Sequence, residues 1–295
     1  MILTTIFYDV DNFCKDFSDY LDKNAITDDS LIQLRKEKSS MPLCDIMTIL
    51  IYFHRSGYRT FKKYYIDCHE LKGAFKCMLS YNRFVELERQ ALAPLTLFMK
   101  LSGKDKCTGI SYIDSTKLQV CHNLRIYGNR VFAGIAKRGK TSTGWFYGFK
   151  LHLVINEFGE IIAFALTTGN VADNNNSLVK KLVKACFGKL IGDRGYISKT
   201  LFKDLFEDGI KLITRLKKKM QNKLMDVEDK FLLSKRGVIE SVNALLKEAC
   251  QIEHSRHRSP INFFVNLVAG LAAYSFLPKK PTIHGRAKAK RLGAF

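Results

Sequence analysis

Ile110-Ser111-Tyr112-Ile113-Asp114-Ser115-Thr116-Lys117-Leu118 carries β-branched and aromatic side chains with a period of two, the mark of a strand. One parity holds Ile110, Tyr112, Asp114, Thr116, Leu118 and Val120. That is the apolar, core-facing parity, and a carboxylate sits in its middle. An unpartnered buried carboxylate is costly, so a cationic neighbour is expected to meet Asp114. A strand-end Asp bonded to a nearby backbone N–H is the plainer alternative. Two later carboxylates weigh against it.

Downstream of this strand the pattern predicts further strands over 144–155 and 161–168, turned at Gly159, then a helix over 175–186 and a short buried strand at 189–192. A helix over 199–208, a strand at 210–214 and a helix over 235–250 complete the set. Three antiparallel strands followed by alternating helices and strands predict an α/β layer with a mixed sheet. It is the element order of the ribonuclease H-like fold. Upstream, residues 1–100 read as helical, with a helix over 42–53 opened by Pro42 and closed by Gly57, and another over 81–99 capped by Ser80. The expected organisation is a helical domain at 1–100, an α/β domain at 101–278 and a basic tail at 279–295.

Gly192-Asp193-Arg194-Gly195-Tyr196 follows directly on the short buried strand. Open α/β sheets place ligands at the carboxyl ends of such strands, although an ordinary Asp/Gly turn has the same composition. On the helix over 235–250, Val238, Ile239, Val242, Leu245, Leu246 and Ala249 form the apolar stripe, and Arg236, Glu240, Asn243 and Lys247 form a second one. That second stripe reads alone as a solvated, ion-paired face; two strand carboxylates without partners make Glu240 a third candidate. Three convergent carboxylates suit two divalent metals. Magnesium is the hard cation for oxygen donors, and paired ions stabilise both oxygens of an in-line phosphoryl displacement.

The chain is 295 residues with a net charge of +20, which favours a polyanionic partner. No acidic residue occurs from Ser115 to Asn156, while Lys117, Arg125, Arg130, Lys137, Arg138, Lys140 and Lys150 are basic. Arg215, Lys217, Lys218, Lys219 and Lys223 make a second run, and the tail a third. Between the first helices, Arg59, Lys62 and Lys63 alternate with Tyr58, Phe61, Tyr64 and Tyr65, an interleaving that suits phosphate contacts plus base stacking. Eight cysteines without a Cys-x-x-Cys pair argue against zinc and for a reduced compartment. His152, His254 and His257 do not have ligand spacing. The uncharged run at 261–277, after Ser259-Pro260, reads as a buried core helix. A cytoplasmic, nucleoid-associated protein without a membrane segment is expected.

Asp114-Ser115-Thr116, Asp193-Arg194-Gly195-Tyr196 and Arg236-x3-Glu240-x6-Lys247 resemble the three catalytic blocks of DDE transposases from bacterial insertion sequences, closest to the insertion-sequence 982 family. Leu233 stands where the wider pattern Tyr-x2-Arg-x3-Glu-x6-Lys has Tyr. Ser56 to Phe61, Gly148 to His152 and Arg256 to Pro260 add to the similarity. The resemblance implies Asp114, Asp193 and Glu240 as ligands of two Mg²⁺ ions, with Mn²⁺ substituting. It implies Arg236 and Lys247 as DNA contacts near the cut. Double-stranded DNA, at the element's ends and at the target, would be the partner, handled by a homodimer. Related transposases also suggest an aromatic that stacks on a flipped base. Alternation instead places Trp145 with Tyr147 and Phe149 on a core face, the reading favoured here. The competing functions are a ribonuclease H-like nuclease or resolvase without strand transfer, and a domesticated DNA-binding protein without chemistry.

Overall fold

β1 (Ile110–Cys121) lies inside a six-stranded mixed sheet. It pairs antiparallel with β3 (Gly144–Asn156) on one side and parallel with β5 (Gly188–Ile191) on the other. β6 (Ile210–Ile213) extends the sheet beyond β5, again parallel. The far edge of β3 is shared by two strands in succession. β2 (Lys137–Thr141) pairs with its first part and β4 (Ile161–Thr168) with the rest. The computed structural model describes residues 2–23, 41–75, 77–142, 144–215, 225–253 and 257–284. Lys217, Lys218, Lys219 and the tail from 285 onward lie outside the described residues, as do His254 and Arg256.

The mixed α/β architecture follows the pattern read from the sequence, with three departures. β2 was not expected: Lys137-Arg138-Gly139-Lys140-Thr141 has no apolar alternation, because an edge strand with few buried positions needs none. The helix expected over 81–99 divides into α5 (Tyr81–Leu87), a 3₁₀ turn at Glu88–Ala91 and α6 (Leu92–Gly103). Pro94 has no N–H to bond back to Gln90, so a continuous α-helix cannot run through this junction. The helix expected over 235–250 is α10 (Gly237–Glu248), and a helix that was not expected, α9 (Val227–Ser234), precedes it across a turn at Lys235 and Arg236.

Contacts divide the chain into two units, Met1–Leu101 with Leu246–Leu277, and Ser102–Leu245 with Pro278–Phe295. This differs from the continuous 101–278 domain expected, because α11 (Pro260–Ser275) belongs with the N-terminal helices. In that first unit α1 (Ile2–Lys23) packs on α2 (Leu43–Phe53), and α2 also contacts α11. From Ile46 to Phe53 every α2 residue is buried, as expected of a helix apolar all round. Ser259 caps α11 through the Asn262 N–H at 3.4 Å, with Pro260 in the first turn. Among the described residues no helix is long and apolar enough to cross a membrane. Among the described residues α3 (Phe61–Asp67), α4 (His69–Ala74), α5 and most of α6 also belong to this unit.

In the second unit, α7 (Asn176–Leu182) and α8 (Lys199–Glu207) cover one sheet face. Ile113, Val154, Val179, Leu182, Leu190, Tyr196, Leu201, Leu205 and Leu212 form the core between them. β1 is covered on both faces, since Tyr112 and Ile113 are both fully buried. Tyr112 donates to the Leu232 carbonyl of α9 at 3.3 Å. Asp114 shares the parity of Tyr112, so it too projects toward the α9–α10 side.

Candidate active site

The register of the parallel pair builds the site. β1 and β5 are last paired at Tyr112 and Ile191. Asp114 and Asp193 each lie two residues beyond that pair, on neighbouring chains about 4.8 Å apart in a sheet. Gly192 continues the sheet by donating its N–H to the Ile213 carbonyl at 3.0 Å. Asp193 then caps a 3₁₀ turn (Arg194–Tyr196), accepting the Gly195 N–H at 2.7 Å. A Cβ on Gly195 would sit 2.8 Å from the Asp193 carboxylate, which accounts for glycine there.

α10 supplies the opposite wall. Asn243 donates its amide to Asp114 Oδ2 at 3.1 Å. This corrects the expectation of a cationic hydrogen-bond partner: Arg236 acts on Asp114 only through its field, and its guanidinium is paired with Glu240. The Asp114 carboxyl is pushed up to about 7, mainly by burial. The Ser115 backbone N–H and Arg236 oppose that rise, while Asp193 and Glu240 reinforce it. Both of the other expected carboxylates therefore act on Asp114. Glu240 itself is open, with 55% of its side chain exposed.

Tyr196 completes the enclosure. It is 1% exposed, and its hydroxyl has no hydrogen-bond partner among the described residues. Burial, then Asp114, Asp173 and Asp193, raise its pKa, and Arg236 opposes them. Asp173 is a fourth acid beside the site. It accepts the Ser115 hydroxyl at 2.7 Å and Lys150 Nζ at 3.0 Å, and Lys150 also donates to the Val171 carbonyl at 2.9 Å. Lys150, expected to contact DNA, is thus an internal strut with a side chain only 9% exposed. His152, also on β3, is buried, with Nε2 2.9 Å from Thr167 Oγ1 and a pKa lowered by burial to about 4.

Among the described residues no group of three or more His, Cys, Asp or Glu side chains is close enough to hold a metal ion as it stands. The donor chemistry nevertheless fits a hard divalent cation: the convergent groups are carboxylates, and burial leaves Asp114 short of positive charge. Glu240 is the outlying member because Arg236 holds it.

The other candidate DNA contacts are scattered. Arg59, Lys62 and Lys63 are exposed on the helical unit, and Lys137, Arg138 and Lys140 are exposed on β2. Lys117 is half-buried on β1, and Lys247 is paired with Glu253 at 3.0 Å. The aromatics interleaved with the first group do not form a stacking surface. Tyr64 and Tyr65 are buried and donate to the Ile49 and Leu79 carbonyls, each at 2.9 Å. Trp145 reverses its expectation as well. It is 55% exposed, with Arg138 and Lys140 at 5.7 and 5.6 Å from its ring. The alternation rule fails there because β3 begins at the turn end of the β2–β3 hairpin, where, among the described residues, Trp145 is left exposed. Asp173 and Tyr196 were missed as site residues; Asp173 lies in an Asn/Asp-rich loop after β4 that gave no periodic signal.

The family model described as the Transposase DDE domain matches residues 104–260. Among solved structures, the fold is similar to piggyBac transposase in a synaptic complex with hairpin DNA. That likeness has 10% identity, covers 83% of this chain and 70% of the other, and has a TM-score of 0.45. No curated protein matches the sequence. With the family match spanning more than half of its length, including Asp114, Asp193 and Glu240, the chain belongs to the DDE transposase domain family.

Proposed function

We propose that this protein cuts DNA at the ends of an insertion-sequence element and joins those ends to target DNA, through a ribonuclease H-like domain. The observation that carries the proposal is the shared register of Asp114 and Asp193 at the end of the β1–β5 pair, faced by Asn243 and Glu240 of α10. Asp114, Asp193 and Glu240 would hold Mg²⁺, or Mn²⁺ in its place. When bound, such ions activate an attacking water or 3′-hydroxyl and stabilise charge on the phosphoryl oxygens.

The chain's own residues prepare that site. Asn243 fixes the Asp114 carboxylate through its amide, leaving the other oxygen for a ligand. The Ser115–Asp173–Lys150 network braces β1 beside it. Arg236 restrains Glu240 and, once Glu240 turns inward, is freed to meet a phosphate as a two-pronged donor. Lys117 on β1 lies three residues from Asp114, and Lys247, Arg59, Lys62, Lys63, Lys137, Arg138 and Lys140 would supply further phosphate contacts. The helical unit would recognise the terminal repeats, and two copies would bring the ends together.

A supercoiled plasmid carrying the element's two ends tests this reading. Wild-type protein with Mg²⁺ is expected to release the element and insert it into a second plasmid. Asp114→Asn, Asp193→Asn and Glu240→Gln are expected to bind the ends without cutting. Near-normal cutting by any of the three removes that residue from the site. Cutting without insertion turns the reading into the nuclease.

A further inference from the structure

A cavity of about 250 Å³ lies beside Asp193, lined by Gly192, Asp193, Arg194, Arg215 and Arg236. At about 30 Å³ per water, it has room for several waters or one tetrahedral oxyanion. Three guanidinium side chains from three separate segments meet there: the turn after β5, the residues after β6, and the turn before α10. Arg194 and Arg215 are exposed and form no ion pair among the described residues, and only Arg236 has a carboxylate, Glu240. Guanidinium groups present donors in a planar fork that matches phosphate oxygens. One wall, Asp193, is shared with the candidate active site.

We infer that this arginine cavity is a phosphate-binding subsite, and that Arg194 and Arg215 are its principal donors. The inference rests on the transposase reading for its choice of ligand, a phosphate group carried on the bound DNA strand next to the one that reacts. Two sources share that chemistry: an internal phosphodiester and a 5′-terminal phosphate monoester. Arg236 is the member the two sites have in common. Arg194 and Arg215 bind and position substrate without touching the carboxylates' ligands.

The test uses the full chain in EDTA, so that it does not depend on metal or on cleavage. The first probe is inorganic phosphate, compared with chloride at matched ionic strength, read as the rise in thermal unfolding temperature. Wild type is expected to rise more than the Arg194→Gln/Arg215→Gln double variant. The second probe is a labelled duplex of arbitrary sequence, with either a 5′-phosphate or a 5′-hydroxyl, titrated over a range of salt. The double variant is expected to bind roughly tenfold more weakly. Its slope of log affinity against log salt should fall by about one, the loss of one phosphate contact. If the terminal monoester is the ligand, wild type prefers the 5′-phosphorylated duplex and the variant does not. If an internal diester is the ligand, both duplexes lose affinity alike. Lys181→Gln/Lys184→Gln, two exposed lysines at and just beyond the end of α7 that have no part in the proposed DNA contacts, is the comparison for a general loss of two charges. Equal phosphate response and equal salt slope in wild type and double variant would overturn the subsite. Failure of cleavage in the plasmid assay would count against the transposase reading alone.

Discussion

Each of the two units sets an acid whose carboxyl is raised by burial against an asparagine amide, and only one of these two acids belongs to a candidate site. In the sheet unit Asp114 accepts from Asn243, and its carboxyl is raised by burial to about 7. In the helical unit Glu88 lies beside Asn262, and its carboxyl is raised by burial to about 8, with the Asn262 side chain opposing the rise. Taken singly the two are nearly the same object. They differ in their surroundings. Asp114 has Asp193 and Glu240 acting on it with the same sign, Arg236 against them, and the unpartnered Tyr196 hydroxyl nearby. Glu88 has none of these acids; the charged group acting with it on Tyr81 is Arg258. Burial and a raised pKa therefore do not mark function by themselves. Convergence of several like charges does, because a fold gains nothing from gathering them unless a cation or a substrate completes the set.

The widest separation should come from removing each charge. Asp114→Asn is expected to lower Mg²⁺-dependent cleavage roughly 10³-fold or more, since several kcal/mol of transition-state stabilisation depend on that ligand. Glu88→Gln should leave the cleavage rate within about twofold. Comparable losses in gel-resolved cleavage by both variants would break the comparison.

The supporting residues should separate next. Arg236→Lys keeps the charge but loses the fork, and a drop of roughly 10²-fold in cleavage is expected if it acts as a preorganised donor. Asn243→Ala frees Asp114 from its orienting amide and should lower cleavage about 10–100-fold, in the manner of residues that orient metal ligands. Asn262→Ala is its counterpart: about 1 kcal/mol of stability lost in urea unfolding through its bonds to Glu88 and the Val85 carbonyl, with cleavage unchanged.

The last contrast leaves cleavage untouched and is a pH dependence of stability. Glu88 ionises near the usual glutamate value when unfolded and near 8 when folded. Between those values the folded state holds one more proton, so raising the pH favours unfolding, and the loss is complete once the folded group ionises. Glu88→Gln should therefore match wild type near pH 4 and exceed it at pH 9, by on the order of 2 kcal/mol. Urea midpoints at the two pH values check the sign; a wild type that gained stability over that window relative to Glu88→Gln would show that Glu88 is ion-paired in solution.

Local pattern and side-chain chemistry determined much of this protein on their own. The period of two around Asp114, the Gly192-Asp193 turn after a short apolar strand, and the helix-capping Ser80 and Ser259 are each legible within a few residues, because strand parity and caps are local properties. The mixed α/β order followed from counting those elements. Tertiary structure decided the rest, and for one physical reason: whether a polar or aromatic side chain is covered depends on what other segments bring to it. Lys150 and Trp145 sit five residues apart on one strand, yet Lys150 is enclosed by Asp173 and the Val171 carbonyl from the loop after β4, and Trp145 projects past the hairpin's end between Arg138 and Lys140. Glu240 and Asn243 share one helix, but the position of β1 makes Asn243 the residue that touches Asp114. The arginine cavity, drawn from three segments of the chain, had no local signature at all.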